Sequence, residues 1–259
     1  MTRLKEDWIR NIEDSIVECQ DYLIEKTGRN FKTILTGYEW PCQPIKVAVI
    51  PITQGQGIIG SFAESVAAIV KIMGFETIIT DKTDVAGIFE AHDKGADIIY
   101  MADDERFIAL NLNNGKIADN NEATALGYVS VLEGAVGLLN DKKVLILGYG
   151  IVGQEILKNL KSKGARVTVF DYDHLKQKEL QDKGEQIITA KEEIKSFEYI
   201  IDATNTGEWI GKEILNENAW YVSPGVPLSL DKEAQEKIKG RVINDYLQIG
   251  VAVMLAMAL

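Results

Sequence analysis

The chain has 259 residues, 46% hydrophobic and 26% charged, with a formal charge of −11 and a pI near 4.8. That balance supports a packed core in one large or two modest domains, and its acidity argues against nucleic acid or an anionic membrane as partner. Cys19 and Cys42 lack CxxC spacing, the N-terminus is charged, and the apolar tail VAVMLAMAL is too short to span a bilayer; reduced thiols, a cytoplasmic location and a buried closing helix are expected.

Residues 3 to about 27 place Leu4, Trp8, Ile12, Ile16 and Leu23 near helical spacing, which predicts one long amphipathic helix ended at Gly28. Such a helix packs on a sheet or at a subunit interface, or its first turn covers a site; with the apolar tail it makes a homodimer the expected assembly. Strands near 46–52, 76–80 and 97–102 alternate with helices near 61–73 and 84–94, which predicts a parallel sheet.

The first G-x-G-x-x-G, GQGIIG at Gly55 to Gly60, lies in this unit. Pro51 interrupts the run several residues earlier, so the glycines sit in a longer loop. They either permit close packing or belong to a loop that closes over a substrate. The strand ADIIYMADD ends in Asp103 and Asp104, at the rim where ligands gather in open parallel sheets. Neighbours on a strand alternate sides, so one of these carboxylates is expected to face a ligand, where it would bind an ammonium group. A surface acidic turn, a helix cap before ERFIALNL, or a buried structural carboxylate are the alternatives.

EATALGYVSVLEGAVGLL (122–139) reads as a helix linking two halves. The expected division is 1–125, an N-terminal helix with an α/β substrate domain, and 126–259, a Rossmann domain that binds NAD. In the second half KKVLILG runs directly into GYGIVG, Gly148 to Gly153, then a helix, then ARVTVFDYD ending at Asp171. This is the register of a dinucleotide turn. Gly148 allows the tight turn, Gly150 lets backbone approach a pyrophosphate, Gly153 lets helix and strand pack, and Asp171, about 20 residues on, would hold a ribose hydroxyl. Tyr149, Ile151 and Val152 complete the turn, and Tyr172 follows the ribose carboxylate. No arginine adjoins Asp171 and Asp173 adds negative charge, which favours NAD over NADP. A Rossmann-like fold with an empty site is the alternative.

Further strands are expected near 143–147, 166–171, 198–202, 219–223 and 241–244. The loops DATNTG and SPGVPLS follow late strands that normally face the nicotinamide ribose. Thr204, Asn205, Pro224 and Gly225 are therefore candidates for the cofactor, or ordinary loop residues. His174 lies too far along and His92 on a helix surface, so no histidine base is available for alcohol oxidation. Without HExxH or a Cys/His set, no metal is expected. The fold class is α/β, a C-terminal Rossmann domain plus an N-terminal α/β domain.

GQGIIGSFAES (55–65), MADDERFIALNLNNGKIADN (101–120), GYGIVG, SPGVP (223–227) and LQIG (247–250) resemble the pyrrolysine biosynthesis dehydrogenase family, the 3-methylornithyl-N6-lysine dehydrogenases. The resemblance runs from about Ile45 to the C-terminus, and MADD…NGKIA is its most specific segment. It implies an NAD-dependent enzyme that oxidises the terminal amine carbon of a small cationic isopeptide, 3-methyl-D-ornithyl-N6-L-lysine, which then cyclises to L-pyrrolysine. By position Asp103 would be the catalytic residue, anchoring the substrate amine, with Leu4, Ile59, Ser61 and Phe62 lining the substrate pocket and Gln54 and Asp104 beside them. Where this chain has Gln54 the family pattern has a smaller residue, and where it has Asp119, Asn. Another NAD-dependent amino-acid or imine dehydrogenase, or a non-catalytic NAD-sensing module, are the competing readings.

Overall fold

The computed structural model describes residues 12–58 and 60–259. The expected roles of Leu4 and Ile59 lie outside the described residues. The chain forms two compact units. One comprises residues 12–22, Asn30–Gly127 and Tyr246–Leu259; the other comprises Leu23–Arg29 and Tyr128–Asp245.

Helix α1 (Ile12–Thr27) ends where Gly28, at φ 69°, donates its N–H to the Ile24 carbonyl. Strand β1 (Lys46–Ile50), helix α2 (Phe62–Ile72), strand β2 (Glu76–Ile79), helix α3 (Asp84–Asp93) and strand β3 (Ile98–Ala102) follow the expected alternation. Those three strands are parallel, with β1 central and buried from Val47 onward. The three strands expected to be parallel are so, and two strands that the sequence reading did not include extend the sheet. Strands β4 (Phe107–Asn111) and β5 (Ile117–Asp119) are antiparallel and complete the order β2-β1-β3-β4-β5. Phe107, Ala109 and Asn111 alternate inward, a strand period that the sequence carries without a helical one. ERFIALNL is thus a strand, and the helix-cap alternative for Asp103 and Asp104 falls away.

Helix α4 (Asn120–Val136) contains the division between units, after Gly127. The second unit then runs β6 (Lys143–Leu147), α5 (Ile151–Ser162), β7 (Arg166–Phe170), α6 (His174–Asp182), β8 (Gln186–Ile187), β9 (Tyr199–Asp202), β10 (Trp220–Ser223), α7 (Lys232–Lys237) and β11 (Val242–Asn244). All pairings are parallel in the order β11-β10-β9-β6-β7-β8. This is the doubly wound dinucleotide order, with its switch point between β6 and β9. Burial on both faces explains why these strands are short continuous apolar runs.

Helix α8 (Gln248–Ala258) is buried everywhere except Met257. A helix apolar all round has to be enclosed, and α2, β4 and β5 enclose it. It belongs to the first unit, whereas a division at 125/126 assigns it to the Rossmann half. The Tyr100 hydroxyl donates to the Val251 carbonyl at 2.9 Å, and Asn111 Nδ2 to the Ala258 carbonyl at 3.0 Å. A Cβ on Gly250 would lie 2.9 Å from both Asn120 Oδ1 and Thr124 Oγ1, which accounts for the glycine of LQIG. No helix among the described residues is long and apolar enough to cross a membrane. Leu255 is fully buried, so Leu255→Ala is expected to destabilise the fold by about 2–5 kcal/mol, read from urea unfolding; a change under about 1 kcal/mol would mean α8 is not a core element.

Candidate functional site

The three glycines of GYGIVG meet three different steric demands. Gly148, at φ 88°, leaves β6 so tightly that a Cβ would lie 3.0 Å from the Ala203 carbonyl oxygen. A Cβ on Gly153 would run into the Gly148 carbonyl. By contrast, a Cβ on Gly150 would meet nothing within 4 Å. The middle glycine is therefore surrounded by room rather than by packing. Helix α5 begins immediately after it with no side-chain cap, leaving the first-turn amides of Ile151 and Val152 outside the helix ladder, as an anion-binding terminus requires. These residues fit a dinucleotide's pyrophosphate.

Asp171 turns back on that motif. Its Oδ2 accepts the Tyr149 N–H at 2.6 Å and its Oδ1 the Asp173 N–H at 2.9 Å. A carboxylate has roughly four lone-pair sites, so it retains capacity for a ribose hydroxyl while shaping the glycine turn. Its surroundings are not purely negative, as the sequence suggested: Lys176 Nζ, from the first turn of α6, stands 3.6 Å from Oδ2. Tyr172 is exposed and packs edge-on to Trp209, with centroids 5.2 Å apart, while Trp209 stacks on Phe170 at 5.8 Å. Tyr149 is buried.

On the other side of β6 the loops after β9 and β10 are held by Asp202. Thr204 donates both its N–H (2.9 Å) and its hydroxyl (2.7 Å) to Asp202 Oδ1. Tyr221 donates its hydroxyl to Oδ2 at 2.8 Å, and the Gly225 N–H donates to the Asp202 carbonyl at 3.1 Å. A Cβ on Gly225 would collide with the Thr204 carbonyl. Asn205 is exposed and Pro224 half-buried. Burial pushes the Asp202 carboxyl above the usual carboxylate range, opposed by these hydrogen bonds, and pushes the Tyr221 phenol well up.

The first unit presents a different arrangement. The loop between β1 and α2 is fastened twice by carboxylates. Thr53 gives its N–H (2.8 Å) and hydroxyl (2.6 Å) to Asp84, whose own acidity these bonds raise. Gln56 gives its N–H to Asp104 Oδ2 at 2.8 Å. Gly55, at φ 73°, leaves the space that the Asp104 carboxylate fills. GQGIIG thus wraps a carboxylate, and a phosphate brought to the same place would be repelled.

Asp103 closes the β3–β4 turn. Its Oδ1 accepts the N–H groups of Glu105 (2.8 Å) and Arg106 (2.7 Å), and its own N–H donates to the Arg106 carbonyl. Its Oδ2 has no protein partner among the described residues. The acidic-turn and ligand-binding alternatives are therefore compatible, one oxygen for each. Phe62 packs edge-on to Phe107 at 5.1 Å, half-buried Ser61 adopts φ 63° at the start of α2, and Gln54 is exposed. Asp119 pairs with Arg106 at 3.0 Å and accepts the Asn121 N–H at 2.8 Å. The charge at this position thus has an ion-pair partner on the adjacent strand turn.

Residues 8–118 match the family described as "Pyrrolysine biosynthesis protein PylD, N-terminal domain", and residues 116–207 match "Alanine dehydrogenase/PNT, C-terminal domain". Pyrrolysine synthase of Methanosarcina acetivorans is 35% identical over 260 residues, covering 98% of each chain. That of Methanosarcina barkeri is 34% identical, covering 98% of this chain and 97% of its own. The chain belongs to the PylD family of pyrrolysine biosynthesis. Shikimate dehydrogenase from Aquifex aeolicus shares the fold at 14% identity and a TM-score of 0.54, over 85% of this chain and 91% of its own. Quinate dehydrogenase from Corynebacterium glutamicum, solved in complex with NAD, does so at 13% identity and a TM-score of 0.53, over 83% and 93%. The PylD-family chain thus shares its α/β fold with these two dehydrogenases.

Lys176, Trp209, Asp202 and Ser229 were not singled out from the sequence of this PylD-family member. Lys176 had a signal, a cation five residues beyond Asp171 at the start of a helix; the others depend on partners distant in the chain.

Two outcomes are expected. Asp104→Ala should speed amide hydrogen exchange over residues 54–58 by about tenfold, the loss of roughly one charge-assisted hydrogen bond, whereas Asp104→Asn, which keeps an acceptor, should not; unchanged exchange in Asp104→Ala would disprove the clasp. For Asp202, the folded pKa is raised, so its contribution to stability is complete below the unfolded value and is lost as pH rises through the folded one. Urea midpoints of the wild type should therefore fall relative to Asp202→Asn as pH increases from about 4, and parallel pH profiles would contradict a raised pKa.

Proposed function

We propose that this protein uses NAD to oxidise the terminal amine carbon of 3-methyl-D-ornithyl-N6-L-lysine, and that the oxidised product closes to L-pyrrolysine. The observation that carries this reading is the GYGIVG turn, open at Gly150 and backed by Asp171, in a chain of the PylD family. Gly148, Tyr149, Gly150, Ile151, Val152 and Gly153 would hold the pyrophosphate, Asp171 and Tyr172 the adenosine side, and Thr204, Asn205, Pro224 and Gly225 the other half. NAD, when bound, supplies a two-electron hydride acceptor. The Asp171 carboxylate disfavours a 2′-phosphate, while Lys176, 3.6 Å away, offsets part of that charge.

On the substrate side Asp103 offers an oxygen outside its turn to an ammonium group. Hydride leaves carbon readily only when the attached nitrogen is neutral, so the carboxylate that binds the ammonium also takes up its proton. The CH–NH3⁺ group then loses one proton and one hydride to become an iminium. The neighbouring α-amine adds to that carbon, ammonia departs, and a five-membered cyclic imine remains; proximity within one molecule drives this closure.

Incubation with NAD⁺ and the isopeptide should give a product lighter by two hydrogens and one ammonia, detected by mass spectrometry with matching NADH. Asp103→Asn keeps an acceptor for the turn but drops the charge, and should lower turnover about 10²–10⁴-fold with NAD affinity within a few-fold. Full activity in this variant removes Asp103 from the chemistry. Turnover of free ornithine but not of the isopeptide would indicate another amine dehydrogenase, and NAD binding with no NADH from either would indicate a sensor.

A further inference from the structure

The dinucleotide reading divides the rim of the second unit into two sides. The pyrophosphate turn follows β6, and the ribose carboxylate Asp171 follows β7, next to it on one side. The half of the dinucleotide that does not lie toward β7 extends over β9 and β10, on the opposite side of β6. The loops there, 203–207 and 224–229, determine what that half meets.

Asp202, the last residue of β9, is fully buried and belongs to neither loop. Nevertheless it bonds to both. Its Oδ1 takes the Thr204 N–H and hydroxyl; its Oδ2 takes the Tyr221 hydroxyl at 2.8 Å and the Ser223 hydroxyl at 3.2 Å; its carbonyl takes the Gly225 N–H at 3.1 Å. Ser229, also fully buried, closes the arrangement, with its Oγ 2.8 Å from Thr204 Oγ and donating to the Thr206 carbonyl at 3.0 Å. Asn244 Nδ2 adds a bond to the Ser223 carbonyl at 2.7 Å. For stability alone an apolar residue of similar volume would serve as well as a carboxyl in this position. What the carboxyl adds is simultaneous acceptance from the 203–207 loop, through Thr204, and from the end of β10, through Tyr221 and Ser223, whose Oγ in turn takes the Gly225 N–H at the start of the second loop.

We propose that Asp202 is a positioning residue that, with Ser229, holds the 203–207 and 224–229 loops in the one arrangement that receives the nicotinamide half of NAD. This rests on the NAD reading above. Asp202 and Ser229 act through Thr204, Thr206 and Gly225 and need not touch the ligand.

ADP-ribose has the adenosine, pyrophosphate and second ribose of NAD without the nicotinamide, so paired calorimetric titrations of both ligands isolate the effect. Ser229→Ala and Asp202→Ala should weaken NAD by roughly tenfold and ADP-ribose by no more than about threefold. Asp202→Asn should keep both affinities near wild type, because its carbonyl can face Thr204 and its amide the hydroxyls of Tyr221 and Ser223. Should Asp202→Ala not fold, Ser229→Ala decides alone, since its lost hydroxyl reaches the loops only through Thr204 and Thr206. An equal loss for both ligands, or no loss for either, overturns the positioning role. Wild-type protein that binds neither ligand overturns the dinucleotide reading and this proposal together; wild-type protein that binds both, with no selective loss in the variants, overturns this proposal alone.

Discussion

Backbone amides that emerge from the carboxyl end of a strand have left one ladder and not yet joined another, and each has to find an acceptor. In this chain aspartate repeatedly supplies it. Asp171 takes the amide of Tyr149, Asp202 that of Thr204, Asp103 those of Glu105 and Arg106, Asp104 that of Gln56, and Asp84 that of Thr53. A charged acceptor makes a stronger bond than a neutral one, and a short side chain fixes the loop close to the strand end. Both the strand-end rim of the second unit and the acidic hairpin of the first take their shape from this kind of interaction.

The same interaction occurs in both glycine patterns, where Asp104 takes the amide of Gln56 and Asp171 that of Tyr149, each the residue after the first glycine. They agree at four positions in six and both middle glycines, Gly57 and Gly150, are open, yet a carboxylate occupies the space beside Gly55, whereas backbone of Ala203 lies beside Gly148. In one pattern the first glycine faces a carboxylate from a distant strand end; in the other it faces the backbone that follows β9. Spacing alone does not distinguish these, because the deciding side chain, Asp104, lies 48 residues from Gln56.

That distance in sequence largely decides what could be read in advance. The strands of the second unit were legible because burial on both faces makes each a compact apolar run, and the turn after β6 was legible because its glycines and Asp171 fall within one βαβ unit. Strands β4 and β5 were missed, since the adjacent acidic residues suggested a helix start and the alternation of Phe107, Ala109 and Asn111 is short. The tail read correctly as a buried helix, but its sequence does not say against which elements it packs. Lys176 near Asp171, and the meeting of Asp202 with Ser229, appear only once the chain is folded. For Asp103 the sequence offered a ligand carboxylate and an acidic turn among its alternatives, and the folded chain displays the turn.

Helix α8 completes the core of the first unit, yet it follows every residue of the second in the chain. On a ribosome, therefore, the sheet that is encoded first cannot finish folding first. Its strands β4 and β5 and helix α2 emerge with an uncovered apolar face and keep it until the second unit has been made. The order of synthesis and the order of completion are reversed, and the interval between them is the period in which this protein is most exposed to aggregation.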